Sequence, residues 1–204
     1  SPKSKMFVKP LKTALSPQQA LSGQRVRRIT GFKPKAISES RRSRLKSRLS
    51  GTICIASANV GTLTGRSTEI VDMLARRKVD ICCMQEIRWK SEGVRLINSI
   101  DVKYKIFFCG EKSGRNGVAI AIKEDLADKV LKVDRINSRM ILLRIHIGDG
   151  IFTIISAYAP QSGESEDTKE CFWELLSNIV QKVPPNEKVM VVGDHEKKKK
   201  SGWI

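Results

Sequence analysis

An α/β fold with a mixed sheet and flanking helices is what the sequence predicts, and three features predict it. Residues 52–85 read strand, helix, strand, with almost no polar alternation in the strands, the pattern of a parallel pair buried on both faces. Between 105 and 158 come five strand-like runs, and the turn Gly148-Asp149-Gly150 joins the last two as an antiparallel hairpin. An amphipathic stretch from 165 to 182, stopped by Pro184 and Pro185, leads into one more apolar run.

Each element has its own local reason. Residues 52–60 are β-branched and apolar, hence a strand, and Gly61 and Gly65 mark the loop after it. Ser67 is expected to cap a helix in which Ile70, Val71 and Leu74 have helical spacing and Arg76, Arg77 and Lys78 sit where the helix dipole favours cations. Residues 79–85 form a second, nearly all-apolar strand. Further strands are expected at 105–109, 117–123, 130–136, 140–147 and 151–158. In the helix at 165–182, Cys171, Phe172, Leu175, Leu176, Ile179 and Val180 lie on or near one face, and 188–193 is the last strand. There is no internal repeat.

The formal net charge of +17 suggests a polyanion partner until it is divided along the chain. Residues 1–50 carry 14 Lys/Arg against one acid, Glu39, whereas 51–196 are balanced, with 20 basic and 20 acidic residues. The rest of the excess is the run Lys197 to Lys200. The expected organisation is a basic, mostly disordered arm at 1–50, a globular part at 51–196 and an altered basic ending at 197–204. Such tails bind nucleic acid non-specifically by counterion release; the plainer reading is a solvated arm or a localisation signal. No apolar run has the length of a membrane span, so no membrane partner is expected. The five cysteines are odd in number and lack CxxC spacing, which reads as reduced thiols of an intracellular protein, nuclear rather than cytoplasmic given the basic segments.

Four segments place a polar residue at the end of an apolar run: Asn59 in Ser-Ala-Asn-Val, Glu86 in Met-Gln-Glu, Tyr158 in Ser-Ala-Tyr-Ala-Pro and Asp194 in Val-Val-Gly-Asp. Strand ends are where α/β folds build their sites. Carboxylates there can hold a hard divalent cation, and an amide or a phenol can bind phosphate. Each residue also has a plain explanation. Glu86 can pair with Arg88, Asn59 can serve the turn before Gly61, and Tyr158 can be a buried strand tyrosine.

Taken with Ser113-Gly-Arg115-Asn116-Gly-Val and the longer strings Ser-Ala-Asn59-Val-Gly-Thr-Leu and Gln85-Glu86-Ile-Arg-Trp, the ordered set resembles the endonuclease/exonuclease/phosphatase family, which includes DNase I and the apurinic/apyrimidinic endonucleases. The wording is similar to the endonuclease domain of RTE-type (BovB-like) non-LTR retrotransposons, and the resemblance covers about residues 51–194. It implies a DNase I-like four-layer sandwich of two packed sheets and a Mg²⁺-dependent phosphodiesterase acting on nucleic acid, DNA before RNA. Glu86 would be the main Mg²⁺ ligand with Asn59 beside it, and Tyr158 would contact the scissile phosphate. Asp194 would orient the nucleophile or bind the phosphate region, while Arg115 and Asn116 would contact phosphate or nucleic acid.

Two departures qualify the resemblance. The family pattern continues Gly-Asp-x-Asn, and Glu196 stands at the Asn place. The family's Ser-Asp-His motif has no counterpart in residues 1–204; His195 adjoins Asp194 and is no substitute. The expectations are an incomplete sandwich whose remaining sheet leaves an apolar face open to self-association, and loss of nuclease turnover, since each missing transition-state donor costs on the order of a hundred- to a thousandfold.

Overall fold

The computed structural model describes residues 6–7, 27–29, 53–100 and 102–194. In chain order the elements are β1 (Met6–Phe7), β2 (Arg27–Ile29), β3 (Ile53–Asn59), α1 (Ser67–Arg76), β4 (Ile81–Gln85), β5 (Glu92–Asn98), β6 (Lys103–Cys109), β7 (Val118–Lys123), α2 (Glu124–Ala127), β8 (Val130–Asn137), β9 (Met140–Ile147), β10 (Gly150–Tyr158), α3 (Glu166–Gln181) and β11 (Lys188–Asp194).

They form two mixed sheets. One runs β2-β3-β4-β7-β6-β5 and the other β1-β11-β10-β9-β8. β3 and β4 are parallel, as are β10 and β11, while β4 with β7 and β9 with β10 are antiparallel. Ile147 pairs with Gly150, which leaves Gly148 and Asp149 as the two-residue hairpin loop expected from the sequence. Within the expected arm, β1 pairs with β11 and β2 with β3. The rest of that arm, and the ending with His195 and Glu196, lie outside the described residues.

Burial makes four layers. Ile55, Ile81, Ile120 and Ile122 of the first sheet pack against Leu143, Ile145, Ile154 and Val192 of the second, all buried in one cluster. On the outer face of the first sheet, Ile70, Val71 and Leu74 of α1 meet Ala56, Ala58, Cys82 and Met84, whose small or flexible side chains let the helix approach closely. On the outer face of the second, Phe172 and Leu176 of α3 cover Leu142, Ile155, Ala157 and Val191. The expectation of one sheet with a bare apolar face is thus corrected, because each sheet covers the other and each outer face carries a helix. Among the described side chains of β3 to β11, the exposed large apolar residues are Val94 and Leu96 of β5 and Leu131 and Ile136 of β8.

Three local details differ from the sequence expectation. β5 has no counterpart among the expected strands, because it is an edge strand whose Glu-Gly-Val-Arg-Leu-Ile-Asn shows no clean apolar face and stays largely exposed. Ser67 is the first helical residue of α1 rather than its cap, which is Arg66 without a side-chain bond, whereas Ser165 does cap α3 and accepts the Thr168 N–H at 3.3 Å. Cys171 is exposed, so the apolar stripe of α3 is narrower than its sequence suggests, while Cys54, Cys82, Cys83 and Cys109 are buried and none of the five is in a disulfide. Among the described residues no helix is long and apolar enough to cross a membrane.

Candidate active site

Parallel pairing within each sheet puts the ends of four strands at one edge of the sandwich. Asn59 ends β3, Tyr158 ends β10, Asp194 ends β11, and Glu86 comes directly after the last residue of β4. The register holds them level: Asn59 pairs with Gln85, and Tyr158 with Asp194.

Glu86 is the centre of the group. Its Oε1 accepts from Asn59 Nδ2 at 2.7 Å and from the Tyr158 hydroxyl at 2.9 Å, and its Oε2 faces Arg88 at 3.4 Å. The same Asn59 nitrogen reaches Asp194 Oδ2 at 3.5 Å, so one amide brings together two carboxylates from different sheets. The Asn59 carbonyl oxygen accepts the Gly61 N–H at 3.1 Å. The turn contact expected of Asn59 is therefore present, and the same side chain reaches Glu86 and Asp194. Asn59 thus turns its Nδ2 donor toward the carboxylates and its Oδ1 acceptor toward the Gly61 turn. Likewise Glu86 keeps a loose pair with Arg88 while accepting from Asn59 and Tyr158.

The backbone here is strained. Glu86 and Arg88 have φ of 56° and 55°, left-handed values that cost non-glycine residues roughly 1–3 kcal/mol each. Ile87 and Arg88 donate their N–H groups to the carbonyls of Gly117 and Asn116, which ties this turn to the loop between β6 and β7. At Gly193 the ladder is tight in another way, since a Cβ there would stand 1.7 Å from the Ala157 carbonyl oxygen; only glycine lets β11 lie this close to β10 just before the site.

Arg115 and Asn116, expected at the phosphate, are not brought into the group by their side chains. Asn116 supports the Arg88 turn through its carbonyl, and its side-chain nitrogen donates to Glu111 at 2.6 Å. Arg115 is exposed on the same loop, where its N–H meets Ser113 Oγ at 3.2 Å. Bonds from Asn116 and then Ser113 hold the Glu111 carboxyl below its ordinary range.

Two further residues belong to the site. The Arg139 guanidinium lies 5.2 Å from the centre of the Tyr158 ring and pairs with Glu164 at 3.2 Å. Gln161 donates to the Tyr158 hydroxyl at 3.3 Å. Neither has a local sequence signal: Arg139 is a turn residue between β8 and β9, brought in because its carbonyl accepts the Tyr158 N–H at 2.8 Å. Burial pushes the Tyr158 phenol up to about 12, the Gln161 bond opposes this, and the Glu86 carboxylate adds to it. The phenol is thus a protonated donor at neutral pH.

A two-sheet α/β sandwich with this cluster at one edge defines a DNase I-like domain. The profile of the Endonuclease/Exonuclease/phosphatase family matches residues 56–194, and the chain belongs to that family. Craniofacial development protein 2 of Bos taurus is 28% identical over 143 residues, which are 69% of this chain and 24% of that protein, so the chain spans about a quarter of the length of this curated relative. Among solved structures, the endonuclease domain of TRAS1, a telomere-specific non-LTR retrotransposon, matches with TM-score 0.50 and 19% identity, covering 71% of this chain and 61% of its own. The Xenopus laevis APE2 catalytic domain matches with TM-score 0.51 and 18% identity, covering 69% and 57%. At these identities the two structures show the shared fold.

Proposed function

We propose that the chain carries the cation-binding and phosphate-binding part of a Mg²⁺-dependent, retroelement-derived endonuclease centre acting on nucleic acid. The observation that carries this reading is the convergence of Glu86 and Asp194, two carboxylates from different sheets, on the single amide of Asn59.

The donor chemistry fits a hard cation. Among the described residues there is no cluster of three or more His, Cys, Asp and Glu, so a cation would be held by one or two carboxylates and completed by water and phosphate oxygen, the manner of Mg²⁺. Glu86 and Asp194 would hold it. Bound there, a divalent cation would neutralise phosphate charge and lower the pKa of a water. This chain's own residues do the rest: Asn59 orients both carboxylates, Tyr158 keeps a hydroxyl proton for hydrogen bonding, and Arg88 offers positive charge at the rim. In this reading Asn59 is a positioning donor, not a metal ligand, and Arg115 lies at the rim for a longer nucleic acid.

Residues 1–204 contain no Ser-Asp-His motif, so we propose that this stretch by itself binds cation and phosphate without sustained turnover. A plasmid-nicking assay with Mg²⁺, beside Mn²⁺ titration calorimetry, tests both parts. Expected are Mn²⁺ binding lost in Glu86→Ala and little nicking by either protein. Nicking that vanishes in Glu86→Ala would overturn the idea of a silent stretch, and Mn²⁺ binding unchanged in Glu86→Ala would sink the proposed site.

A second reading rests on a different observation, the 14 Lys/Arg against one acid in residues 1–50: binding of nucleic acid, DNA before RNA, through the basic segment alone. Replacing Lys33, Lys35, Arg41, Arg42, Arg44, Lys46 and Arg48 by glutamine, which leaves β1 and β2 in place, separates the two, since tail-driven DNA binding weakens sharply and Mn²⁺ binding persists.

A further inference from the structure

Among the described residues, Gln85 and Ser156 are the fully buried polar side chains between the two sheets, and with Ser57 they form a chain directly beneath the site. Ser57 Oγ donates to Gln85 Oε1 at 3.3 Å, and Gln85 Nε2 donates to Ser156 Oγ at 3.2 Å. Gln85 and Ser156 are fully buried, at 0% exposure. The chain crosses from β3 through β4 of one sheet to β10 of the other. Methionine, unbranched and similar in length, would fill the place of Gln85 without needing partners. The amide instead imposes direction, because its bonds survive only while β4 and β10 keep their present alignment.

That alignment bears on the site through the next residues of each strand. Each member of the chain stands one or two positions before a residue of the site: Ser57 before Asn59, Gln85 before Glu86, Ser156 before Tyr158. Glu86 leaves β4 through a left-handed residue, φ 56°, so the direction of its carboxylate depends directly on where Gln85 is anchored. We propose that Gln85 is a positioning residue: by bridging Ser57 and Ser156 inside the sandwich, it sets the placement of Glu86 against Tyr158. The consequence for cation affinity rests on the proposed cation site at Glu86 and Asp194; the placement itself does not.

The protein has two tyrosines, Tyr104 and Tyr158, so fluorine NMR of the full chain labelled with 3-fluorotyrosine reads the site and the fold together. Tyr104 is fully buried and donates to the Val79 carbonyl at 2.6 Å, outside the polar chain, which makes it an internal control. In Gln85→Met the Tyr158 signal is expected to shift or split while that of Tyr104 stays, and Mn²⁺ affinity is expected to fall about tenfold, as for other groups that orient metal ligands. Thr153→Val removes a buried hydroxyl bonded to Glu187 elsewhere on β10 and is expected to leave both signals in place. An unmoved Tyr158 signal in Gln85→Met, or a displacement shared equally by Tyr104, overturns the proposal. Should Gln85→Met fail to fold, the smaller change Ser156→Ala removes the same bridge and is read the same way. If the unaltered protein takes up no Mn²⁺, the cation reading falls, and the Tyr158 signal still decides the role of Gln85.

Discussion

Tyr158 and Glu86 stand on different sheets and 72 residues apart, and the phenol donates to the carboxylate across 2.9 Å. With the phenol raised to about 12, first by burial and then by the Glu86 charge, the folded protein favours the protonated form. The stabilisation is fully present below the unfolded value of about 10 and is lost as pH rises through about 12. The difference in ultraviolet absorbance between the protein and Tyr158→Phe is expected to titrate near 12, and Glu86→Gln should lower that midpoint. A midpoint at the free tyrosine value would show that the bond does not form in solution.

At Glu187 the sign is the opposite. This buried carboxylate is held by Arg144 of β9 and by Thr153 Oγ1 at 2.7 Å, and the Arg144 bonds above all keep its carboxyl below the ordinary range. Its contribution is present above the unfolded glutamate value of about 4.3 and is lost as pH falls through the lower folded value. Urea denaturation of Glu187→Gln should show a loss of roughly 2 kcal/mol near neutrality. The gap to the unaltered protein should close only in acid; a gap independent of pH would contradict the charged pairing.

Lys78 closes α1 in a left-handed conformation, φ 55°, with its own N–H bonded to the Ala75 carbonyl and the Val79 N–H to that of Leu74. This is a Schellman ending built on lysine where glycine is usual. Lys78→Gly is expected to stabilise the fold by about 0.5–1 kcal/mol, the steric relief being partly offset by chain entropy. The urea midpoint measures it, with Lys78→Ala as a control that should show no gain.

Gly193→Ala is expected to be severe, because its Cβ would meet the Ala157 backbone oxygen and only a parting of β10 from β11 makes room. A loss of at least about 3 kcal/mol corresponds to a drop in Tm on the order of 10 °C, readable by circular dichroism. An unchanged Tm would mean the strands do not approach this closely.

Much of this molecule is legible in the chain because local physics writes it there. The apolar runs that form β3 and β4, the turn at Gly148-Asp149 and the amphipathic stripe of α3 all depend on neighbouring residues. β5 and Arg139 escape for complementary reasons. As an edge strand β5 buries too little to need a pattern, and Arg139 reaches Tyr158 only through the β9–β10 pairing. The motif around Arg115 and Asn116 marks a loop beside the site, yet the bond from Asn116 to Glu111 cannot be read from it.

The sequence by itself determined most of the elements between 52 and 194, the family, and the fact that Asn59, Glu86, Tyr158 and Asp194 end apolar strands or follow one directly, because periodicity and strand-end polarity are properties of short stretches. Only the tertiary structure decided which of them touch, which way the Asn59 amide faces, and that two sheets packed face to face stand behind them. Those depend on the alignment of strands up to 135 residues apart, and that alignment is set by packing and by the buried bonds of Gln85, not by any neighbour in the chain.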